Sequence, residues 1–232
     1  MHEGLSPGRV RVWDLPTRLF HWALALCFVG LIATGTLGGS AMVLHFRFGY
    51  AVLALLLFRL IWGVVGGRWS RFSSFVAAPG TIWRYLSGRH QAEGELGHSP
   101  LGGLAVVAML LLLSLQVGSG LMSDDTISFA GPLSAWVPND WVSLATSYHA
   151  RVGRWALIAL VVLHLTAIIF YTVRRRGLVE AMLHGDKVLS ASTAAPLKGS
   201  RDDGWTRLAA LVLLLVCSGM AYWVSSLAPP TF

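Results

Sequence analysis

The sequence predicts an all-α integral membrane protein, built as a four-helix bundle with a fifth, C-terminal transmembrane helix. Hydrophobic residues make up 55% of the 232 residues and charged residues only 12%, whereas soluble domains carry about 25% charged residues. The apolar residues gather in long runs, as a bilayer requires of spanning helices. Ten tryptophans suit helix ends at the membrane interface.

Five apolar runs have the length of about 20 residues that a membrane span needs. Residues 1–188 contain the first four and are expected to form the working domain. Residues 189–204 are rich in Ser, Ala and Gly and predict a flexible linker, and residues 205–232 carry the additional helix. The stretch 79–88 predicts a short interfacial helix. The spans are predicted at residues 19–38, 43–66, 99–122, about 147–173 and 205–227.

The distribution of Lys and Arg predicts the orientation of the chain. Fourteen of the 18 basic residues fall on one side of the predicted membrane, whereas loops 39–42 and 123–146 have none. The N-terminus is therefore expected in the cytoplasm and the C-terminus outside. Orientation also explains the net charge of +7 better than nucleic-acid binding does. Two cysteines, Cys27 and Cys217, lie in apolar runs outside any C-x-x-C pattern, which argues against an iron–sulfur cluster or covalent haem.

Four of the eight histidines lie in predicted membrane helices, where an ionisable side chain is costly and indicates function. In the predicted orientation, His45 and His149 open their helices near the outer face, and His21 opens the first helix near the cytoplasmic face. His164 lies about 22 Å deeper than His149, at 1.5 Å per residue. The histidines therefore form an outer pair, His45 with His149, and an inner pair, His21 with His164.

Two imidazoles at each of two depths are what two stacked haems need, since each iron takes a histidine from either side. Facing helices of a bundle can supply such sites. Glycines near these positions would make room for a flat macrocycle or simply for helix packing; they are Gly30, Gly35, Gly49 and Gly153. The alternative for the histidines themselves is a set of ordinary buried histidines, which the two matched depths disfavour.

Four arginines lie beside the histidine pairs. Arg47, Arg151 and Arg154 accompany the outer pair, and Arg59 lies close to the inner pair within a strongly apolar run. Arginine pairs well with carboxylates, so these residues could bind haem propionates. For the outer three the alternative is snorkelling to the interface, whereas Arg59 is predicted to contact haem or quinone.

The motifs then resemble the bacterial cytochrome b561 family, which includes the b-type cytochrome subunits of nickel–iron hydrogenases. The resemblance covers about residues 9–187 and rests on RVWDLPTRLFHW, HFRFGY…FRLIWGVVG with SRFSSF after it, LGHSPLG and the H-x14-H helix. It implies a four-helix protein of the bacterial inner membrane that holds two haems b and exchanges electrons with a quinone pool. The family's iron ligands fall on His21, His45, His149 and His164.

The expected function is transmembrane electron transfer between a quinone pool and a periplasmic c-type cytochrome or hydrogenase. Superoxide:quinone oxidoreduction is a second option within the same family. A proton-coupled transporter with a histidine relay is disfavoured because the five apolar runs contain no Asp or Glu. A colourless anchor subunit is a further alternative. The oligomeric state is open, with a homodimer as one option.

Two finer sites are predicted. A quinone site is expected at the cytoplasmic end, near Arg59, His98 and Trp62, because His can carry protons and Arg can polarise a carbonyl. The outer loop 123–146 is expected to dock a basic redox partner. That loop carries three aspartates and two tryptophans: Asp124, Asp125, Asp140, Trp136 and Trp141.

Overall fold

A computed structural model describes residues 8–89, 96–174, 177–189 and 198–228. Five helical segments in these ranges are long and apolar enough to cross a membrane, so the predicted all-α membrane fold is confirmed. Large apolar side chains are exposed along them, as lipid-facing residues are. The five spans are Leu15–Leu37, Gly39–Val65, Pro100–Met122, Asn139–Val173 and Gly204–Ser225.

The first long helix, α1 (Leu15–Leu37), has clear start and stop signals in the sequence. The carboxylate of Asp14 accepts a hydrogen bond from the backbone N–H of Thr17 at 2.8 Å, which satisfies a donor that the first turn leaves unpaired. The helix ends where Gly38 and Gly39 have φ of +64° and +54°. Glycine adopts this left-handed conformation at little cost.

The remaining helices follow with short connections. Residues 79–86 form the short helix that the sequence predicts at 79–88, and no further long helix intervenes between the second and third spans in the described residues. The helices are α2 (Met42–Val65), α3 (Phe72–Phe75), α4 (Pro79–Leu86), α5 (Pro100–Met122), α6 (Asn139–Ser147), α7 (Arg154–Val173), α8 (Leu178–His184) and α9 (Gly204–Ser225). Single 3-10 turns occupy Gly39–Ala41, Arg68–Ser70 and Ser134–Trp136.

The fourth span differs from the sequence prediction in two ways. It begins at Asn139, so the loop predicted at 123–146 is shorter than expected. A π-helical turn, Tyr148–Gly153, joins α6 to α7. Such turns hydrogen-bond from i to i+5 and occur mostly as single insertions, frequently at functional sites. The regular rise of 1.5 Å per residue assumed from His149 to His164 therefore does not hold through this turn.

The chain forms two compact units, each assembled from three stretches of sequence. The first unit comprises residues 1–19, 60–107 and 164–210, as far as they are described, and the second comprises residues 20–59, 108–163 and 211–232. Both units contain parts of the long helices. They are described separately below.

The first unit contains a small two-stranded sheet that the sequence did not predict. Strand β1 (Gly8–Arg11) pairs antiparallel with β2 (Asp186–Leu189), with Gly8 opposite Leu189. Buried apolar side chains pack around it, and Trp69, Met182 and Leu189 add partly buried surface. The buried members are Val10, Val12, Trp13, Leu96 and Ala181.

Asp14 is fully buried in the first unit and joins the start of α1 to the residues after α2. Besides Thr17, its carboxylate accepts hydrogen bonds from the backbone N–H of Gly67 at 3.0 Å and the hydroxyl of Ser70 at 3.2 Å. The indole N–H of Trp62 donates at 3.4 Å. A buried carboxylate needs such partners because it has lost its hydration. Trp62 is 3% exposed, and this hydrogen bond ties it to Asp14.

Residues 198–203 are held to the N-terminal segment, whereas residues 190–197 of the predicted linker lie outside the described residues. Ser200 donates through its hydroxyl to the carbonyl of Val12 at 2.7 Å. Asp202 pairs with Arg11 at 2.9 Å and with Arg207 at 3.0 Å. Burial alone would raise the pKa of the Asp202 carboxyl, but these cations and the N–H of Leu15 hold that pKa below its usual value.

Candidate functional site

The second unit brings His45 of α2 against α1. The Nδ1 atom of His45 lies 3.1 Å from the carbonyl oxygen of Leu31 and 3.3 Å from the hydroxyl of Thr34. That hydroxyl donates to the carbonyl of Gly30 at 2.7 Å, so its oxygen is left to accept. A carbonyl can only accept, so Nδ1 carries the proton and Nε2 keeps its lone pair.

His149, in the π turn, is held in the same way by α5. Its Nδ1 atom lies 2.9 Å from the carbonyl oxygen of Gln116, which again places the proton on Nδ1. The side-chain amide of Gln116 donates back to the carbonyl of His149 at 3.0 Å. Ser119 also lies 3.5 Å from Nδ1 and donates to the Gln116 carbonyl at 3.0 Å. One residue of α5 therefore fixes both the backbone and the imidazole of His149.

The two imidazoles lie next to each other in the second unit. Their ring centroids are 6.1 Å apart and their planes are inclined by 88°. Two imidazoles bound to one metal ion at about 2 Å each would have centroids roughly 6 Å apart. Metal-bound histidines commonly donate the other ring N–H to a carbonyl, as both do here. The spacing and the two Nδ1 hydrogen bonds therefore fit a pair of histidines that would hold one iron.

Buried polar side chains near the pair test whether these residues fit a haem. Two donors beside His149, the Tyr148 hydroxyl and the Arg154 Nε, are buried with no hydrogen-bond partner among the described residues. Both could donate to a propionate. These residues fit a haem.

Glycines allow both rings to approach the neighbouring helices. A Cβ atom at Gly35 would lie 3.0 Å from Cε1 of His45, and one at Gly120 would lie 2.7 Å from Cε1 of His149. Gly49, one turn after His45, has no atom within 4 Å of a Cβ position, which leaves room beside the helix.

The two other glycines singled out in the sequence have different neighbours. A Cβ at Gly30 would lie 2.7 Å from Phe48, and a Cβ at Gly153 would lie 2.7 Å from Tyr148. For these two positions side-chain packing is the better interpretation, in line with the role of small residues between membrane helices.

The predicted inner histidines fall in different units. His21, in the second unit, is half-buried on α1 and makes an edge contact with Trp22 at 5.2 Å between ring centroids. His164, in the first unit, is half-buried on α7. Their pairing stays a prediction.

The predicted arginines differ in burial. Arg59, on α2, is only 4% exposed, which is unusual for a charged side chain. Arg47 and Arg151 are exposed, and Arg151 lines a shallow surface pocket together with Asp124 and Thr126. Burial thus separates Arg59 from the other two, and its contact with haem or quinone stays a prediction.

Two residues expected at the quinone site have structural contacts in the first unit. Trp62 donates to Asp14, as described above. His98, two residues before α5, lies between aromatic rings, with centroid distances of 4.8 Å to Trp13 and 4.6 Å to Phe75.

The aspartates of the predicted outer loop have unequal roles. Asp125 accepts the N–H groups of Ile127, Ser128 and Phe129 at 2.8–2.9 Å. Burial would raise the pKa of the Asp125 carboxyl, but these three hydrogen bonds outweigh it and lower the pKa. Asp140 lies exposed in the first turn of α6. Asp125 thus shapes the loop, while Asp140 is a surface charge.

Residues 12–185 of the chain match the family model described as prokaryotic cytochrome b561. The chain belongs to the prokaryotic cytochrome b561 family. The match begins one residue after β1 and includes the first four spans and all four histidines discussed above. The predicted family is confirmed.

Curated relatives of this cytochrome are similar over most of their length. A probable Ni/Fe-hydrogenase B-type cytochrome subunit of Azotobacter vinelandii is 28% identical over 212 residues, which cover 76% of this chain and 87% of the relative. One of Rhizobium leguminosarum bv. viciae is 24% identical over 220 residues, covering 80% and 92%. A probable Ni/Fe-hydrogenase 1 B-type cytochrome subunit of Escherichia coli K12 is 23% identical over 192 residues, covering 66% and 79%. No solved structure matches the chain.

The family and the five apolar helices identify this chain as a multi-pass membrane cytochrome of the b type that functions in electron transfer and binds haem b. Sequence reasoning missed Gln116, Ser119 and Gly120, which surround His149. A signal was present for Gln116, because an amide side chain within an apolar span indicates a hydrogen-bonded partner.

Proposed function

We propose that this cytochrome carries electrons across the bacterial inner membrane through two haems b, each held by two histidines. His45 and His149 would bind the outer haem, and His21 and His164 the inner one. The observation that carries the proposal is the His45–His149 pair, with 6.1 Å between centroids and both Nδ1 atoms turned to carbonyls.

The chain's own residues would prepare this site for its cofactor. The carbonyls of Leu31 and Gln116 hold the two rings in one tautomer, so that Nε2 is the ligating atom on each. Haem supplies one-electron chemistry when bound. Tyr148 and Arg154 would hold its propionates, and the apolar helices would keep water from the iron, which tunes its potential.

The orientation proposed from the basic residues places the N-terminus in the cytoplasm and the C-terminus outside. The order of the helices supports this orientation. Basic segments follow α2 and α7 and precede α9, and these three positions fall on the same side when successive spans alternate in direction. The His45–His149 pair then lies near the outer face.

The proposed redox partner at the outer face is of the hydrogenase type. The names of the relatives, hydrogenase B-type cytochrome subunits, support this choice. A basic c-type cytochrome is the second candidate. It is favoured by the outer segment 123–141, which contains three aspartates and two exposed tryptophans, Trp136 at 71% and Trp141 at 59%. Redox encounters of this kind are typically small and transient.

Quinone is the proposed partner within the membrane, with the cytoplasmic end as its place. Arg59 and His98 remain the candidate contacts, because a buried guanidinium can polarise a quinone carbonyl and an imidazole can carry protons. Arg59→Leu and His98→Ala should each slow quinone reduction while the haem spectrum is kept. Unchanged rates in both variants would place the quinone elsewhere.

The proposed function is tested by measuring the haem content of the protein and electron transfer across a bilayer. Purified protein should show a reduced b-type spectrum with about two haems per chain, as the four ligand histidines require. In proteoliposomes, an impermeant donor outside should reduce an acceptor enclosed inside. A single haem, or two haems without transfer across the bilayer, would contradict the proposal.

A further inference from the structure

A basic pocket lies in the first unit, at the end of α2 and the start of α9. Four cationic side chains line it together with three glycines, Val65 and Thr206. All four cations are exposed: Arg68, Arg71, Lys198 and Arg201. No carboxylate is among the lining residues, so the pocket is strongly positive.

Three of the four cations are not engaged by acids. Among the described residues, Arg68, Arg71 and Lys198 form no salt bridge. Arg71 donates through Nε to the carbonyl of Gly66 at 2.8 Å, which leaves its terminal nitrogens available. Arg201 alone is paired, with Asp203 at 2.9 Å. The carboxylate of Asp14 lies behind the lining residue Gly67, but four donors already satisfy it.

The pocket also lies at the ends of two candidate membrane spans. One membrane span ends at Val65 and another begins at Gly204, so the cations sit at the membrane boundary. Large apolar side chains next to the pocket are exposed, including Val64 at 67%, Trp205 at 77% and Leu208 at 49%. A ligand with an anionic head and apolar chains matches both the cationic pocket and the apolar surface beside it. A soluble anion would contact the cations alone.

We propose that this pocket binds the phosphate of an anionic phospholipid, whose acyl chains lie along α2 and α9. Clustered basic residues between membrane helices recognise such headgroups, with about 1 kcal/mol for each Lys or Arg near the surface. The lipid would bridge the second span and the C-terminal helix, giving α9 a function in the first unit beyond crossing the membrane.

The test is native mass spectrometry of the full-length, haem-loaded protein in mild detergent, titrated with phosphatidylglycerol. Arg68→Gln with Lys198→Gln should weaken retention of this lipid roughly thirtyfold, about fivefold for each lost cation. The matched control, Arg84→Gln with Arg89→Gln, removes the same charge from exposed positions on and after α4. It should bind like the wild type.

Two further measurements show whether the variant is folded and whether the bound phosphate belongs to a lipid. The charge-conserving exchange Arg68→Lys with Lys198→Arg should restore binding, which a folding defect would not allow. Phosphatidylcholine should bind weakly, and inorganic phosphate should not displace the anionic lipid. Equal loss in the control pair, or displacement by inorganic phosphate alone, would overturn the proposal.

Discussion

Gly120 faces the imidazole of His149, and replacing it by alanine tests how tightly that ring is held. A Cβ there would lie 2.7 Å from Cε1, 3.0 Å from Nδ1 and 3.5 Å from Nε2 of the ring. Ordinary contact begins at 3.4 Å, so the ring or the helix must move by about 0.7 Å. The ring cannot move freely because Nδ1 is hydrogen-bonded to Gln116 at 2.9 Å.

Gly118 supplies the matched control on the same helix. A Cβ at Gly118 would meet no atom within 4 Å. Replacing a helical glycine by alanine raises the free energy of unfolding by about 0.5–1 kcal/mol in both variants. Only Gly120→Ala overpacks the site, and overpacking typically costs about 1–3 kcal/mol. Gly120→Ala should therefore be less stable than Gly118→Ala by about 1–3 kcal/mol.

The assay combines thermal unfolding with redox titration in the same detergent. Gly118→Ala should unfold at or slightly above the wild-type temperature and keep its haem potentials. Gly120→Ala should unfold at a lower temperature than Gly118→Ala. It should also shift the potential of one haem, or lose that haem, since the proposed ligand His149 is displaced. Identical behaviour of the two variants would show that the close approach of Gly120 to His149 is not a constraint on the site.

Three further predictions follow from named contacts. The planes of His45 and His149 are inclined by 88°, so a haem held by both would keep two iron d orbitals nearly equal in energy. Its ferric form should give a strongly anisotropic low-spin EPR signal, and an ordinary rhombic signal would contradict the inclined arrangement. Folding lowers the pKa of Asp202, so its stabilisation is present above the unfolded value of about 4 and is lost as pH falls through the lower folded value. The melting-temperature gap to Asp202→Asn should thus be largest at neutral pH and shrink in acid, and a constant gap would refute it. Asp140→Asn should slow reduction of a basic c-type cytochrome at low salt and converge with wild type at high salt; equal rates throughout would place docking elsewhere.

Helix positions were predictable from the sequence because hydropathy and length decide whether a segment spans a bilayer. The start of α1 was predicted four residues late, at residue 19 instead of Leu15, because the local start signal at Asp14 was not used. That His45 and His149 lie close together was predictable for the same reason: each was placed near the start of a predicted span, and the two spans run in the same direction. No atomic contact was needed for that inference.

The features missed all depend on contacts distant in sequence. The sheet joins residues 8–11 to residues 186–189, a pairing that neither short strand specifies alone. The π turn at Tyr148–Gly153 is stabilised from another helix, by the amide of Gln116, so the local sequence reads as ordinary α-helix. Asp14 likewise binds Gly67 and Ser70, more than fifty positions away.

The central claim is that His45 and His149 bind one and the same haem, and haem content with redox titration of two variants tests it most directly. His45→Ala and His149→Ala should each lose the same haem and retain one haem of identical midpoint potential. If the two variants retained different haems, or if either kept both, the pairing would be contradicted.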